Sequence, residues 1–160
     1  MKLLQKMKQK KTDNKGFSLV ELIIVIAIMA ILVGIVGTQV VPYLEKSKEA
    51  KDLQIISSYS TAAATAYASK VDKLTTTTGS ISFEVYGSLT GDSKILADEI
   101  KKLTYASVPT DKLKSKVGKE INGINITYNL DTRKITVQGI KKGAEGATET
   151  NKLDAVESEL

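Results

Sequence analysis

The sequence contains neither cysteine nor histidine, and these two absences exclude several kinds of chemistry. Without cysteine, the 160-residue chain forms no disulfide and offers no thiolate ligand to a metal ion. Without histidine, it lacks the side chain that most often acts as a general base near neutral pH. No phosphate-binding glycine loop, paired carboxylates or activated nucleophile can be recognised in what remains. The sequence therefore predicts a protein that is not an enzyme and that binds neither a metal nor a cofactor.

The excess of positive charge is confined to the first 16 residues. This segment holds six of the 23 basic residues and one of the 18 acidic residues, which leaves 17 of each sign from Phe17 onward. The formal net charge of +5 therefore describes an N-terminal leader and not a nucleic-acid-binding surface. A run of lysines at 112, 114, 116 and 119 is a weak basic patch, but it lacks interleaved aromatic residues. We interpret that run as a solvated face and keep DNA as the weaker alternative partner.

A long apolar segment follows the leader. From Leu22 to Leu44 there are 23 consecutive residues without a charge. A helix of about 20 apolar residues crosses the hydrocarbon core of a bilayer, so residues 17–44 are expected to span a membrane. A cleaved secretory signal would have a shorter apolar region that ends in a small-residue cleavage site. The lysines before the span place the N-terminus in the cytoplasm and the C-terminus outside.

The helical pattern continues beyond the span with a different character. Residues 45–74 begin with charges, become rich in alanine, and carry one apolar stripe from Leu53 through Ile56, Tyr59 and Ala63. The membrane span and the apolar stripe together predict a near-continuous helix from Ser18 to Lys70.

Pro42 interrupts this pattern, so a kink or a looser segment is expected between Gly34 and Pro42. Gly34 and Gly37 also have a spacing that lets membrane helices approach closely. We favour weak points in the helix over a packing surface for these two glycines.

The C-terminal half predicts a small α+β head at residues 75–142. A connector at Thr75–Ser80 precedes a strand at Ile81–Tyr86 and a helix at Ser93–Thr104. Alternating apolar residues between Ile121 and Val137 then predict a three-stranded antiparallel meander, with turns at Asn122–Gly123 and Asp131–Arg133. Its apolar face could be covered by the helical stripe. Residues 143–160 have few large apolar side chains and are expected to be disordered.

The residues Lys15-Gly16-Phe17-Ser18-Leu19-Val20-Glu21-Leu22, set directly before the apolar span, carry the functional signal. This KGFSLVEL segment resembles the N-terminal signature of type IV prepilins and the related pseudopilins, over about residues 10–55. The resemblance implies a pilin-like fold, in which a long N-terminal helix packs on a small antiparallel sheet. It also implies cleavage between Gly16 and Phe17 by a prepilin peptidase, followed by N-methylation of the new Phe17 amine.

Glu21 has two readings. The resemblance implies that it pairs with the Phe17 amine of a neighbouring subunit and fixes the stagger between subunits. The spacing Ser18-x-x-Glu21 is equally that of a capping box, in which Glu21 only satisfies a backbone donor at the helix start. The family commonly breaks this helix at the position held here by Thr38, so Pro42 is displaced. The absent C-terminal disulfide makes the chain similar to Gram-positive pilins.

The resemblance implies a structural subunit of a type IV pilus-like filament. Its expected partners are the prepilin peptidase, identical and related pilin subunits, the pilus assembly platform, and the membrane before assembly. The subunit would be a single-pass membrane protein first and part of a cell-surface filament later. Two alternatives stay open: a pseudopilin or competence pilin of a secretion or DNA-uptake machine, and a signal-anchored monomer whose head binds a partner.

Overall fold

A computed structural model describes residues 16–142, 148–150 and 153–160. The chain divides into two compact units, with the boundary between Val41 and Pro42. In the first unit, helix α1 covers Leu19–Ile35 and a π-helical turn covers Val36–Val40. Helix α2, Val41–Lys70, begins with the last residue of that unit and belongs otherwise to the second.

The second unit contains a further helix and one antiparallel sheet. Its elements are β1 at Ser80–Glu84, α3 at Gly91–Leu103, β2 at Gly123–Asn129, β3 at Lys134–Lys142, β4 at Thr148–Thr150 and β5 at Val156–Glu159. The strands follow the order β1-β2-β3, and β4 and β5 both pair with β3. β5 pairs with the first half of β3, and β4 pairs with its last residues. The predicted α+β class, with a long helix packed on an antiparallel sheet, is confirmed.

The core lies between α2 and one face of the sheet. Alternation along β1, β2 and β3 turns apolar side chains to this face and polar ones to the other, as the period of two requires. The stripe predicted on α2 does cover this face, since Ile56, Tyr59, Ala63 and Ala66 are all fully buried there. Helix α3 adds three buried apolar side chains to the same core: Leu96, Ala97 and Ile100.

One of the two turns predicted in the meander is present and the other is not. β2 and β3 form a hairpin whose turn includes Asp131–Arg133, and Arg133 has a φ of 55°. The predicted turn at Asn122–Gly123 is wrong, because Gly123 begins β2 and pairs with Ile140. The Asn122 side chain accepts from the Lys142 amide at 2.7 Å and donates to the Lys142 carbonyl at 3.1 Å. Asn122 therefore extends the β2–β3 ladder, and the third strand of the sheet core is β1.

The prediction of a disordered tail is also wrong for the residues that the structure describes. β4 and β5 extend the sheet, and Leu153 is buried in the core. The Ser60 hydroxyl on α2 donates to the Ser158 hydroxyl on β5 at 2.6 Å. The open side of β3 supplies backbone partners, so this segment needs few apolar side chains to be held. Residues 143–147 and 151–152 lie outside the described part.

Candidate processing and assembly site

The Gly16–Phe17 junction lies on an exposed segment immediately before α1. Gly16 is exposed, and 90% of the Phe17 side chain is accessible. Ser18 has an extended backbone, with φ −66° and ψ 142°, and the helix begins at Leu19. Gly16 and Phe17 are therefore exposed and outside any helix or strand, as a cleavage site accessible to a protease would be. The rest of the predicted leader, residues 1–15, lies outside the described part.

Ser18 and Glu21 form a capping box at the start of α1. The Ser18 amide donates to Glu21 Oε2 at 2.9 Å, and the Val20 amide donates to the Ser18 hydroxyl at 3.3 Å. These bonds satisfy donors that a helix start leaves without intrahelical partners. The capping box that the Ser18-x-x-Glu21 spacing predicts is thus formed within the single chain. It uses one Glu21 oxygen, and no other described residue donates to this exposed carboxylate.

The side chains of α1 make no buried contact at all. None of its 17 residues is buried, and its large apolar side chains are between 46% and 74% exposed. Apolar residues occupy every side of the helix, as they do in helices that lie inside a membrane or a protein core. Within the described residues, one helical segment is long and apolar enough to cross a membrane, and α1 forms its start. The surface of α1 therefore needs lipid or other protein chains to cover it.

The predicted weak region contains a π-helical turn. At Val36–Val40 the backbone leaves the α-helical pattern, and the Val41 amide donates to the Val36 carbonyl, five residues back. Proline has no amide hydrogen and clashes with the preceding turn, so such a change of pattern just before Pro42 has a local cause. The Thr38 hydroxyl donates to the Gly34 carbonyl at 2.9 Å. No atom lies within 4 Å of a Cβ built on Gly34 or Gly37, so the single chain does not itself require glycine there. The kink assigned to Gly34, Gly37 and Pro42 stays a prediction.

Two carboxylates that the sequence did not single out organise the head. Asp52 is fully buried on α2, and it accepts from the Lys114 amide at 2.9 Å and from the Ser115 amide at 2.8 Å. The Ser115 hydroxyl also donates to it, at 2.5 Å. Asp52 precedes Ile56 and Tyr59 on the buried face by four and seven residues, and this spacing was the signal available. Because Asp52 lies in a run of charged residues, however, the sequence predicts that it is exposed to solvent.

Asp92, at the start of α3, holds the connector that follows α2. It accepts from the Thr75 amide at 3.0 Å and from the Thr76 amide at 2.7 Å. These donors, the Thr75 amide foremost, lower the pKa of Asp92 to about 2. The carboxylate therefore stays charged, and its role is to fix the chain between α2 and β1.

Three tyrosines in and beside the core form hydrogen bonds, and burial keeps their hydroxyls neutral. Tyr86 donates to the Tyr105 carbonyl at 2.9 Å, so the Tyr59 hydroxyl, 2.6 Å from that of Tyr86, donates to Tyr86. Tyr128 donates to the Ala63 carbonyl at 2.9 Å. Burial is the main cause that raises the pKa of Tyr59, of Tyr86 and of Tyr128 above the usual range. These hydroxyls stabilise the packing of α2 and offer no base for catalysis.

The described part of the head contains two open grooves, and the smaller one, of about 210 Å³, is lined by Lys134, Glu157, Ser158 and Glu159. Among the described residues, no group of three acidic side chains could hold a metal ion. An open groove of about 360 Å³ lies beside α2 and is lined by Ser58, Thr61, Ala62, Thr65 and Leu103. It contains no charged group, so it has neither an acid nor a base.

A comparison with known protein families finds a match near the start of the sequence. The sequence profile of the prokaryotic N-terminal methylation motif matches residues 11–37, which include the Gly16–Phe17 junction, Glu21 and the whole of α1. No match was found among curated proteins or among solved structures. The methylation motif at residues 11–37, together with the long apolar helix that follows it, supports a type IV pilin-like protein. The packing of a helix on an antiparallel sheet in the head matches the same architecture.

Proposed function

We propose that this chain is the precursor of a structural subunit of a type IV pilus-like extracellular filament. A prepilin peptidase cuts it between Gly16 and Phe17 and methylates the new Phe17 amine. The helix that begins at Leu19 anchors the product in the membrane and later packs against the same helix of other subunits. The observation that supports this most is that α1 is apolar on every side, fully uncovered, and begins directly after the junction.

The position of the cut relative to α1 distinguishes this proposal from ordinary secretion. A signal peptidase that acts after an apolar segment removes that segment from the product. Cleavage at Gly16 removes only the basic leader and leaves α1 on the product. The lysines of the leader hold the junction at the cytoplasmic surface of the membrane. After the subunit leaves the membrane through the assembly platform, the apolar surface of α1 is covered by neighbouring subunits.

Glu21 has a double role in this proposal. One oxygen caps α1 through the Ser18 amide, and the other is free to accept from a partner. A charged side chain in the membrane region costs free energy unless it is paired. Cleavage creates a positive amine at Phe17, and the Phe17 amine of an adjacent subunit supplies the missing partner. The capping box and the charge pair are therefore compatible uses of the same side chain.

Mass spectrometry of the cell-associated protein from its native host tests the cleavage. The expected product begins at Phe17, carries one additional methyl group on its amine, and retains the whole of α1. A signal-anchored monomer would instead retain the leader, and a secreted head would lack α1. Either of these results would contradict the proposal.

Substitution of Glu21 tests the charge pair. Glu21→Gln retains an oxygen that accepts from the Ser18 amide, but it removes the charge. We expect this variant to be inserted and cleaved normally, yet to assemble no filaments visible by electron microscopy. Glu49→Gln, which removes an acidic group beyond the span, is the matched control and should assemble as wild type. Normal filaments from the Glu21→Gln variant would show that capping is the whole role of Glu21.

A further inference from the structure

A loop rich in lysine is fastened to the first turns of α2. This lysine loop, Asp111–Glu120, carries exposed lysines at 112, 114, 116 and 119. The buried Asp52 carboxylate accepts from the Lys114 and Ser115 amides, and the Glu45 carboxylate accepts from the Lys116 amide. These bonds use the backbone of the loop, so the ammonium groups of Lys114 and Lys116 form no ion pair within the described chain. The Lys116 amide, and to a smaller extent the Lys116 ammonium, lower the pKa of Glu45.

The place of attachment locates the loop relative to the apolar run. Glu45 directly follows Leu44, the last residue of the charge-free segment, and Asp52 lies two helical turns further along α2. At the standard helical rise those two turns cover about 10 Å. Tyr43 and Leu44, at the start of α2, are 77% and 54% exposed, as expected of side chains that meet lipid or its interface. Within the second unit, the lysine loop is therefore bonded to Glu45, the residue that directly follows the charge-free run and that the proposed function places on the extracytoplasmic side.

The charges around this attachment are not balanced. None of the four loop lysines forms an ion pair with a carboxylate of the described chain, and Lys112 lies over the Tyr105 ring at 5.5 Å. Of the nearby carboxylates, Glu45 pairs with Lys48, Glu120 pairs with Lys141 and Asp52 lies inside the fold, whereas Glu49 and Asp111 form no ion pair within the described chain. Residues 45–52 and 111–120 together hold seven lysines and five carboxylates, a net charge of +2. α2 adds two more exposed lysines, Lys46 and Lys51. A positive surface thus remains close to the end of the span.

We propose that the lysine loop binds the phosphate groups of anionic phospholipids in the outer leaflet, and so holds the head of the unassembled subunit against the membrane. Lysine side chains near a membrane surface are attracted by anionic headgroups. DNA is less suited to this surface, because only one of the four loop lysines has an aromatic neighbour. This inference rests on the membrane anchoring in the proposed function, and it adds a lipid partner on the side opposite to the leader.

The test measures lipid binding to the full chain in detergent micelles by native mass spectrometry. Short-chain phosphatidylglycerol is titrated against wild type and against the double variant Lys114→Gln/Lys116→Gln, with phosphatidylcholine as the uncharged reference. A lysine near the surface contributes about a fivefold change in affinity, so the double variant should bind phosphatidylglycerol roughly 25-fold more weakly. Affinity for phosphatidylcholine should not change. Lysines of the leader contribute equally to both proteins and cancel in the comparison.

Lys94→Gln is the matched control. Lys94 is exposed near the start of α3, where Asp92 binds Thr75 and Thr76, so it lies beyond the far end of α2. This variant should bind phosphatidylglycerol as wild type does. A second pair, Lys112→Gln/Lys119→Gln, repeats the test if the first variant loses its near-ultraviolet circular dichroism.

Two results would overturn the inference: unchanged phosphatidylglycerol binding in the folded loop variants, or an equal loss in Lys94→Gln. A chain that alkaline carbonate extracts from native membranes would instead contradict the anchoring itself. The two failures are therefore distinguishable.

Discussion

Replacement of Asp52 by asparagine tests how the lysine loop is held. In wild type, Oδ1 accepts from the Lys114 amide, and Oδ2 accepts from both the amide and the hydroxyl of Ser115. Asparagine has the same shape but only one acceptor oxygen, so its NH₂ group must face at least one of these donors. The site is fully buried, and water cannot replace the lost acceptor.

The size of the effect follows from the bonds lost. A hydrogen bond to a charged group contributes about 1.5–3 kcal/mol, and Asp52→Asn removes the charge and at least one of three such bonds. We expect the free energy of unfolding to fall by about 3 kcal/mol. A Cβ built on Gly118 would lie 2.0 Å from Asp52 Oδ2. The backbone therefore passes directly over the carboxylate.

Urea denaturation of the full chain in detergent micelles, followed by near-ultraviolet circular dichroism of the tyrosines, measures this change. The matched control is Asp111→Asn, which neutralises an exposed carboxylate in the same loop and should alter stability by less than about 0.5 kcal/mol. A loss below about 1 kcal/mol for Asp52→Asn would refute the reasoning, since it would mean that the three donors find other partners.

Two further predictions concern the ends of the head. The pKa of Asp92 is lowered to about 2, so its charge stabilises the fold above its ordinary pKa of 3.8, and that stabilisation is lost as the pH falls through this range towards 2. Asp92→Asn should therefore unfold at a lower temperature at pH 6 and show a smaller further decrease between pH 4 and pH 2, as thermal scans would reveal; parallel pH profiles for both proteins would contradict this. Leu153→Ala should cost about 2–4 kcal/mol in urea denaturation, because Leu153 is 5% exposed in the core, and a negligible cost would restore the prediction of a disordered tail.

Hydrophobic periodicity predicted most of the fold because the residues that recur at the period of a helix or strand are also the residues that pack in the core. Ile56, Tyr59 and Ala63 recur at helical spacing and do face the sheet, and the residues around Asp131–Arg133 do form the hairpin turn. The signal at Asn122–Gly123 failed because the side chain of Asn122 found partners on β3, which no local rule registers. A local turn preference is weak enough for such a pairing to override it.

The tail and the buried carboxylates were missed for a related reason. β5 is held by backbone bonds to β3 and by the Ser158 hydroxyl, and neither leaves a hydrophobic pattern in the sequence. Asp52 lies in a charged run, where its burial becomes visible only once the lysine loop is folded against it. By contrast, the roles proposed for Gly16, Phe17 and Glu21 depend on other proteins that bind to them. The resemblance of these residues to the prepilin signature was therefore the informative signal, and their roles are proposals.

In the proposed assembly, cleavage is the step that makes packing of α1 against other subunits favourable. Lipid is already apolar, so moving α1 from lipid into a bundle of like helices gains little from the hydrophobic effect, and packing and polar interactions must decide the balance. Before cleavage, Phe17 has a peptide nitrogen, and Glu21 satisfies only the Ser18 amide. After cleavage, a positive amine appears four residues from Glu21, and in a bundle each carboxylate can meet the amine of the next chain. Assembly therefore gives the uncut precursor no favourable interaction at Glu21. In the cut subunit, assembly pairs the Glu21 carboxylate with an amine and removes the free-energy cost of an unpaired charge in an apolar environment.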